Sequence, residues 1–173
     1  QKEVADRIVA NVNSNKYGRL TILTEWKMKV IKIMDIEPNN FFPRPKVKSS
    51  LLYFTPKENF YKFKNSKNLE TVTNIFFQNK RKMIKKPLNI LFKDSSQVIK
   101  KLNLDEKCRP QNIEPLTFFN ISKEYEEKLI LENGNETLNR LILVFSDLES
   151  KLLILTSIGF TFLLEFKSFD IIC

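Results

Sequence analysis

The residues best suited to chemistry lie in a proline-rich segment, Phe41-Phe42-Pro43-Arg44-Pro45-Lys46-Val47. Its prolines stiffen the backbone, which lowers the entropy cost of holding aromatic rings outward. A rigid aromatic ring in such a loop can stack on a nucleic-acid base that has been extruded from its helix. The segment is therefore a candidate base-binding site. The alternative is that Phe41 and Phe42 only seal the edge of a sheet.

A second candidate site is a cluster of basic residues further along the chain. Its members are Lys80, Arg81, Lys82, Lys85 and Lys86. At helical spacing Lys82, Lys85 and Lys86 share one face, which could lie against phosphates. The alternative is a solvated helix start.

The overall charge is unevenly distributed along the chain. Residues 1–109 contain 24 Lys and Arg against 10 Asp and Glu, whereas residues 110–173 contain 5 against 10. This asymmetry indicates a polyanion-binding face on the first part of the chain. A lysine-rich surface that only keeps the protein in solution would show the same asymmetry.

The composition excludes several kinds of site. The 173 residues include no histidine, which excludes Ser-His and Cys-His nucleophiles and histidine-ligated metals. Two cysteines are too few for a zinc cluster or a disulfide framework, and their use fits a reducing, cytoplasmic setting. Three glycines cannot form a phosphate- or dinucleotide-binding loop. Because the chain opens at Gln1 and its first methionine is Met28, we expect it to begin within a longer protein.

The elements that would hold the loop form the first part of the chain. Apolar spacing predicts a helix over residues 3–10 and favours a helix over a strand for residues 17–26. Alternation predicts a strand over residues 27–36, and residues 49–55 are predicted to return as a second strand. Between them, three prolines in residues 37–45 exclude a helix and predict an extended loop. We therefore expect an antiparallel pair of strands at the edge of a sheet.

The elements that would hold the basic cluster are helical. We predict helices from about residue 66 to 78, 81 to 92, 95 to 102 and 114 to 130. Pro87 falls within the second of these and should kink it or shorten its first half. The apolar stripe of the last helix is predicted to consist of Leu116, Phe119, Tyr125 and Leu129.

Five segments of the chain, taken in order, resemble one enzyme family. They are Gln1–Ile8, Tyr17–Leu20, Phe41–Ser49, Phe76–Met83 and Arg109–Ile113. Their order and spacing are similar to those of the KsgA-type ribosomal RNA adenine dimethyltransferases. These carry QKEVA, YGRLS-like and F-x-P-x-PKV-x-S segments, a helical signature ending in RRK, and a late RP-x-x-L segment. Lys80 stands where the family usually has the first arginine of RRK, which keeps the charge but weakens a bidentate phosphate contact.

The resemblance implies an α/β fold, with the last two strands of a Rossmann-like methyltransferase sheet followed by a small all-α domain. Residues 1–57 would end the catalytic domain, and residues 58–130 would form a helical domain that contacts RNA. Family members transfer methyl groups from S-adenosylmethionine to N6 of two adjacent adenines near the 3′ end of small-subunit rRNA.

The resemblance also implies roles for the two candidate sites. Phe41, with Pro43 and Pro45, would pack against the target adenine. The implied RNA-binding residues are Lys46, Lys80, Arg81, Lys82, Lys85 and Lys86. The expected partner is the small-subunit rRNA in the pre-30S particle, bound by a cytoplasmic monomer without a metal or a membrane.

Other family features are missing from this chain. The glycine-rich cofactor loop, the acidic ribose-binding residue and the Asn-hydrophobic-Pro-aromatic loop all precede the QKEVA segment in the family. No catalytic or cofactor-binding residue is therefore assigned, and we expect the fragment to be inactive alone. Residues 131–173 match no part of the family, and we expect a frame change or read-through there. Their apolar run, residues 152–164, is too short for a membrane span and predicts a buried element.

Two other functions remain open. One is the sister group of large-subunit rRNA adenine methyltransferases that confer macrolide resistance, against which the QKEVA and RPQNI segments argue. The other is a non-catalytic RNA-binding factor of the same fold.

Overall fold

The computed structural model describes residues 1–134. Two helices, a two-stranded sheet and four further helices follow one another in this part of the chain. They are α1 Lys2–Ile8, α2 Arg19–Lys27, β1 Met28–Ile36, β2 Ser49–Pro56, α3 Lys67–Gln78, α4 Lys85–Leu91, α5 Ser95–Lys101 and α6 over residues 115–134. The chain divides into two units, Gln1–Ile130 and Leu131–Cys173, and the first contains the sheet, the main core and both candidate sites. The predicted buried element at 152–164 lies outside the described residues.

The two strands form the predicted antiparallel pair. Ile31 lies opposite Tyr53 and Met34 lies opposite Leu51, so that Ile33 is an extra residue in β1. These five side chains are between 48% and 60% exposed. Because side chains alternate across a strand, the neighbouring residues point to the opposite face, which contacts α1 and α2.

The main core joins α2 to the helices that follow the sheet. Its fully buried members include Ile22, Leu69, Val72, Phe76, Leu88, Phe118 and Ile121. Tyr17, which lies just before α2, is part of this core, and its hydroxyl donates to the Ile113 carbonyl at 2.8 Å. Burial raises the pKa of the Tyr17 hydroxyl, which therefore stays neutral as a donor.

Three details of the sequence prediction are wrong. The helix predicted from Arg81 begins only at Lys85. The predicted shortening of its first half is confirmed, because Pro87 is tolerated in a first helical turn, where backbone N–H groups lack partners within the helix. The loop over residues 37–45, in which the prolines were expected to exclude a helix, contains one turn of 3₁₀ helix, Pro38–Asn40. Pro38 occupies its first position, where the missing N–H of proline removes no hydrogen bond. Leu116, predicted on the apolar stripe of α6, is 56% exposed.

Among residues 1–134, no helix is both long and apolar enough to cross a membrane.

Candidate nucleic-acid interface

Six basic side chains surround one open groove of about 820 Å³ in the helical part of the chain. They are Arg81, Lys82, Lys85, Lys86, Lys107 and Arg109. Lys85 is paired with Glu106, with 2.7 Å between Nζ and Oε2. The other five form no ion pair within the part of the chain that the structure describes. Their charges are therefore available to an anionic ligand.

The local fold explains why these residues meet. The turn between α3 and α4 is closed by a hydrogen bond from the Lys82 amide to the Asn79 carbonyl at 2.8 Å. Next to it, the Ile84 amide donates to the Cys108 carbonyl at 3.0 Å. This bond brings Lys107 and Arg109 to the turn although they are more than twenty residues away in sequence. Buried Leu88 packs into the core and leaves the basic side of α4 outward.

The structure brings most of the predicted basic cluster together, but not all of it. Lys82 lies in the turn and not on the helix, so the predicted shared helical face is wrong, although Lys82, Lys85 and Lys86 do line one groove. Lys80 does not line this groove, and its Nζ donates to the Asn15 carbonyl at 3.4 Å. Lys46 is exposed in its loop and does not line it either.

Sequence reasoning missed Lys107 and Arg109. In the sequence, Arg109 only opens the RP-x-x-L segment, and Lys107 is a single lysine next to acidic Glu106. Neither is part of a local run of basic residues, and the contact that places them depends on the Ile84 backbone. The clustering of charge in residues 1–109 was the available signal, but it does not identify individual residues.

The proline-rich loop presents its aromatic rings to solvent. Phe42 is fully exposed, so it covers no sheet edge in the described part of the chain, and Phe41 is 40% exposed. The base of the loop is held by an ion pair between Lys48 Nζ and Glu37 Oε1 at 2.6 Å. It is also held by a hydrogen bond from the Lys2 amide to the Lys48 carbonyl at 2.9 Å.

The two prolines assigned to the target base lie in this same loop. Pro43 is exposed and Pro45 is half-buried. The arrangement leaves Phe42, which sequence reasoning did not choose, as the more accessible ring for stacking.

An ion-pair network joins α1 to the sheet behind the loop. Asp6 contacts Lys16 at 2.7 Å and Lys32 at 2.8 Å, and these two lysines lower the pKa of Asp6 from 3.8 to about 2. Lys2, then Lys32 and the Ser50 hydroxyl, lower the pKa of Asp35. Both shifts favour the charged form. The network is therefore structural and holds no carboxyl poised to exchange a proton near neutral pH.

Among residues 1–134, neither a glycine-rich loop nor a metal-ligating group of side chains is formed. The two glycines among them, Gly18 and Gly134, are far apart in sequence and form no glycine-rich loop. No group of three or more Cys, Asp and Glu in residues 1–134 is arranged to hold a metal ion. Cys108 is partly buried, and burial raises the pKa of its thiol, so it is no activated nucleophile.

Comparison with known proteins assigns the family. The family model for ribosomal RNA adenine dimethylase matches residues 1–127. A ribosomal RNA small subunit methyltransferase A from Pelagibacter ubique is 56% identical over 127 residues, which are 73% of this chain and 48% of that protein. The protein of that name from Borreliella burgdorferi strain ZS7 is 42% identical over 124 residues, 70% of this chain and 43% of its own.

A solved structure gives the same result. The crystal structure of a dimethyladenosine transferase from Plasmodium falciparum aligns with a TM-score of 0.65 and 27% identity, over 74% of this chain and 55% of that one. The chain spans about half the length of the curated relatives it matches. These likenesses confirm the predicted fold class, the C-terminal part of a methyltransferase sheet followed by a small all-α region. The chain belongs to the ribosomal RNA adenine dimethylase family.

Proposed function

We propose that the intact protein uses S-adenosylmethionine to dimethylate N6 of two adjacent adenines near the 3′ end of small-subunit rRNA. The observation that carries this proposal is the family match over residues 1–127, which includes both the exposed aromatic loop and the basic groove. Relatives that share up to 56% of the aligned residues are named for methylation of the small-subunit RNA. The protein acts in the cytoplasm as a monomer on the pre-30S particle.

The basic groove holds the RNA backbone. Arg81, Lys82 and Lys86 line it from the turn and α4, and Lys107 and Arg109 line it from the segment that is hydrogen-bonded to this turn. None of the five has to break an ion pair among the described residues before it binds a phosphate. Lys85 also binds a phosphate when that phosphate displaces Glu106 from the Lys85 ammonium group. We assign Lys46 and Lys80 to phosphates outside the groove. Phosphate contacts of this kind fix the register of the RNA and do not read its sequence.

The aromatic loop orients the target base. An adenine that leaves its stack exposes a flat face, and Phe41 and Phe42 offer flat apolar rings to it, with Pro43 and Pro45 stiffening the loop. Methyl transfer needs the adenine nitrogen in line with the methyl carbon, so fixing the plane of the base supplies much of the catalysis. The cofactor provides the methyl group, and none of the described residues is assigned to bind it.

A chimera tests the proposal. The upstream part of the Pelagibacter relative is joined before Gln1, and the product is incubated with labelled S-adenosylmethionine and with both unmethylated small-subunit particles and unmethylated large-subunit RNA. We expect dimethyladenine near the 3′ end of the small-subunit RNA. Binding of both cofactor and particle without any methylation would refute the enzymatic role and favour an RNA-binding factor. Label in large-subunit RNA alone would assign the sister group.

A further inference from the structure

The segment between β2 and α3, residues 57–66, has no regular secondary structure but is fixed along its length; we call it the brace. At its start, the Lys57 amide donates to the Lys27 carbonyl at 2.8 Å, and Lys57 Nζ donates to the Glu25 carbonyl at 2.6 Å. In its middle, Trp26 Nε1 donates to the Tyr61 carbonyl at 2.6 Å. The brace is therefore attached to α2, beside the sheet.

The other end of the brace is attached to α6 through a buried carboxylate. Glu126 is only 8% exposed. Its Oε2 accepts from the Lys64 amide at 3.1 Å, and its Oε1 accepts from the Asn65 amide at 2.8 Å and from Asn68 Nδ2 at 3.0 Å. Burial alone would raise the pKa of Glu126, but these three donors lower it, so the carboxylate is charged at neutral pH.

Aromatic rings fill the space between these two attachments. The Trp26 ring centroid lies 5.4 Å from that of Phe63, which lies 5.7 Å from that of Tyr61. The Tyr61 ring lies 5.9 Å from that of Phe119 on α6, and the Tyr61 hydroxyl donates to Asn120 of the same helix. A continuous series of ring contacts therefore runs from α2 to α6. Such interdigitated packing resists a hinge motion.

We propose that the brace fixes the position of the basic groove relative to the aromatic loop, and that Glu126 is the positioning residue that locks it. This proposal rests on the proposed function, because the groove and the loop must hold the same RNA at once. Glu126 is buried and lines neither site, so it acts through the brace. Fixed separation matters because methyl transfer depends on in-line geometry.

The first test measures this separation without RNA. Spin labels are placed at Arg44 in the loop and at Lys100 on α5, after Cys108 and Cys173 have been changed to Ala. We expect one narrow distance distribution, which Glu126→Ala broadens. A matched control, Glu127→Ala, removes the same charge from an exposed position on α6 and should leave the distribution narrow.

Amide exchange shows whether the substitution acts where the proposal says. Glu126→Ala should raise the exchange rates of the Lys64 and Asn65 amides at least tenfold while core amides stay protected. Faster exchange at these amides with an unchanged distance distribution would overturn the proposal. If Glu126→Ala fails to fold, Trp26→Phe serves instead, because it removes the bond to Tyr61 and keeps an aromatic ring. An unchanged distribution there, despite faster exchange in the brace, would overturn it equally.

A kinetic test in the chimera separates positioning from general damage. Glu126→Ala should lower kcat by about tenfold or more, since small displacements of reacting groups are costly. Affinity for the particle should stay within twofold, because the groove is intact, and Glu126→Gln should restore part of kcat. Weaker particle binding with unchanged kcat would overturn the positioning role. A chimera without methylation would refute the proposed function, and the distance measurement would still decide whether the brace is rigid.

Discussion

Neutralising two groove lysines, Lys82→Gln with Lys86→Gln, should weaken the salt dependence of RNA binding by a calculable amount. Each phosphate neutralised on a duplex contributes about 0.9 to the slope of log affinity against log salt. If Lys82 and Lys86 each meet one phosphate, the slope of the variant is smaller than that of the wild type by about 1.8. Between about 50 and about 200 mM salt, the wild type should then lose about 12-fold more affinity than the variant.

The assay is a salt titration with a fluorescent fragment from the 3′ region of small-subunit rRNA. The matched control is Lys29→Gln with Lys123→Gln, which changes the net charge equally at exposed positions outside the groove. We expect the control to bind with the wild-type slope. An unaltered slope in the groove variant, or an equal fall in the control, would mean that Lys82 and Lys86 face solvent in the complex.

Three further predictions concern the loop, the core and the ion-pair network. Phe41→Ala in the chimera should cost about 1–3 kcal/mol in kcat/KM through lost base stacking and leave cofactor binding unchanged; unchanged turnover would return Phe41 to a structural role. Phe118→Ala should lower the free energy of unfolding in urea by about 3–5 kcal/mol, because its fully buried ring packs 5.3 Å from that of Phe76. Exposed Leu116→Ala should change it by less than about 0.5 kcal/mol, and equal losses would contradict the core assignment. The carboxyl of Asp6 has a pKa lowered from 3.8 to about 2, so its stabilisation is present above about pH 4 and lost as the pH falls towards 2. The Asp6→Asn variant should unfold at a lower temperature than the wild type at pH 6, and its unfolding temperature should change less with pH over this window. A variant whose unfolding temperature falls with acid as steeply as that of the wild type would refute that contribution.

The groove and the loop make separate demands on RNA, and both lie in one folded unit. The groove offers positive side chains, which suit the phosphates of an RNA backbone. The loop offers uncharged aromatic rings, which suit stacking on an RNA base. The proposed function is compatible with a chain that has no histidine and no metal-ligand cluster in its described part, because positioning an amine needs neither.

The sequence by itself predicted most of the elements and the rigidity of the loop. Strict alternation predicted β1, because a strand with one buried face must alternate, and the prolines predicted a stiff connection from it to a second strand. The order of five segments, from QKEVA at the start to RPQNI near residue 113, predicted the family that the comparisons confirm. Local periodicity placed α3 and α5 within about two residues of where they lie.

Only the tertiary structure decided which charges share a groove and which residues hold the brace. Lys107 and Arg109 join the basic cluster through one backbone hydrogen bond at Ile84, and nothing in their local sequence encodes a partner more than twenty residues away. Glu126 lies in a helix beside Glu124 and Glu127, which are less buried and pair with Lys101, so its role depends on what packs over it. The helix predicted from Arg81 begins later, at Lys85, where the turn is bonded to Cys108. Periodicity reports which side of an element is apolar, whereas the pairing of distant backbone groups depends on the packed chain as a whole.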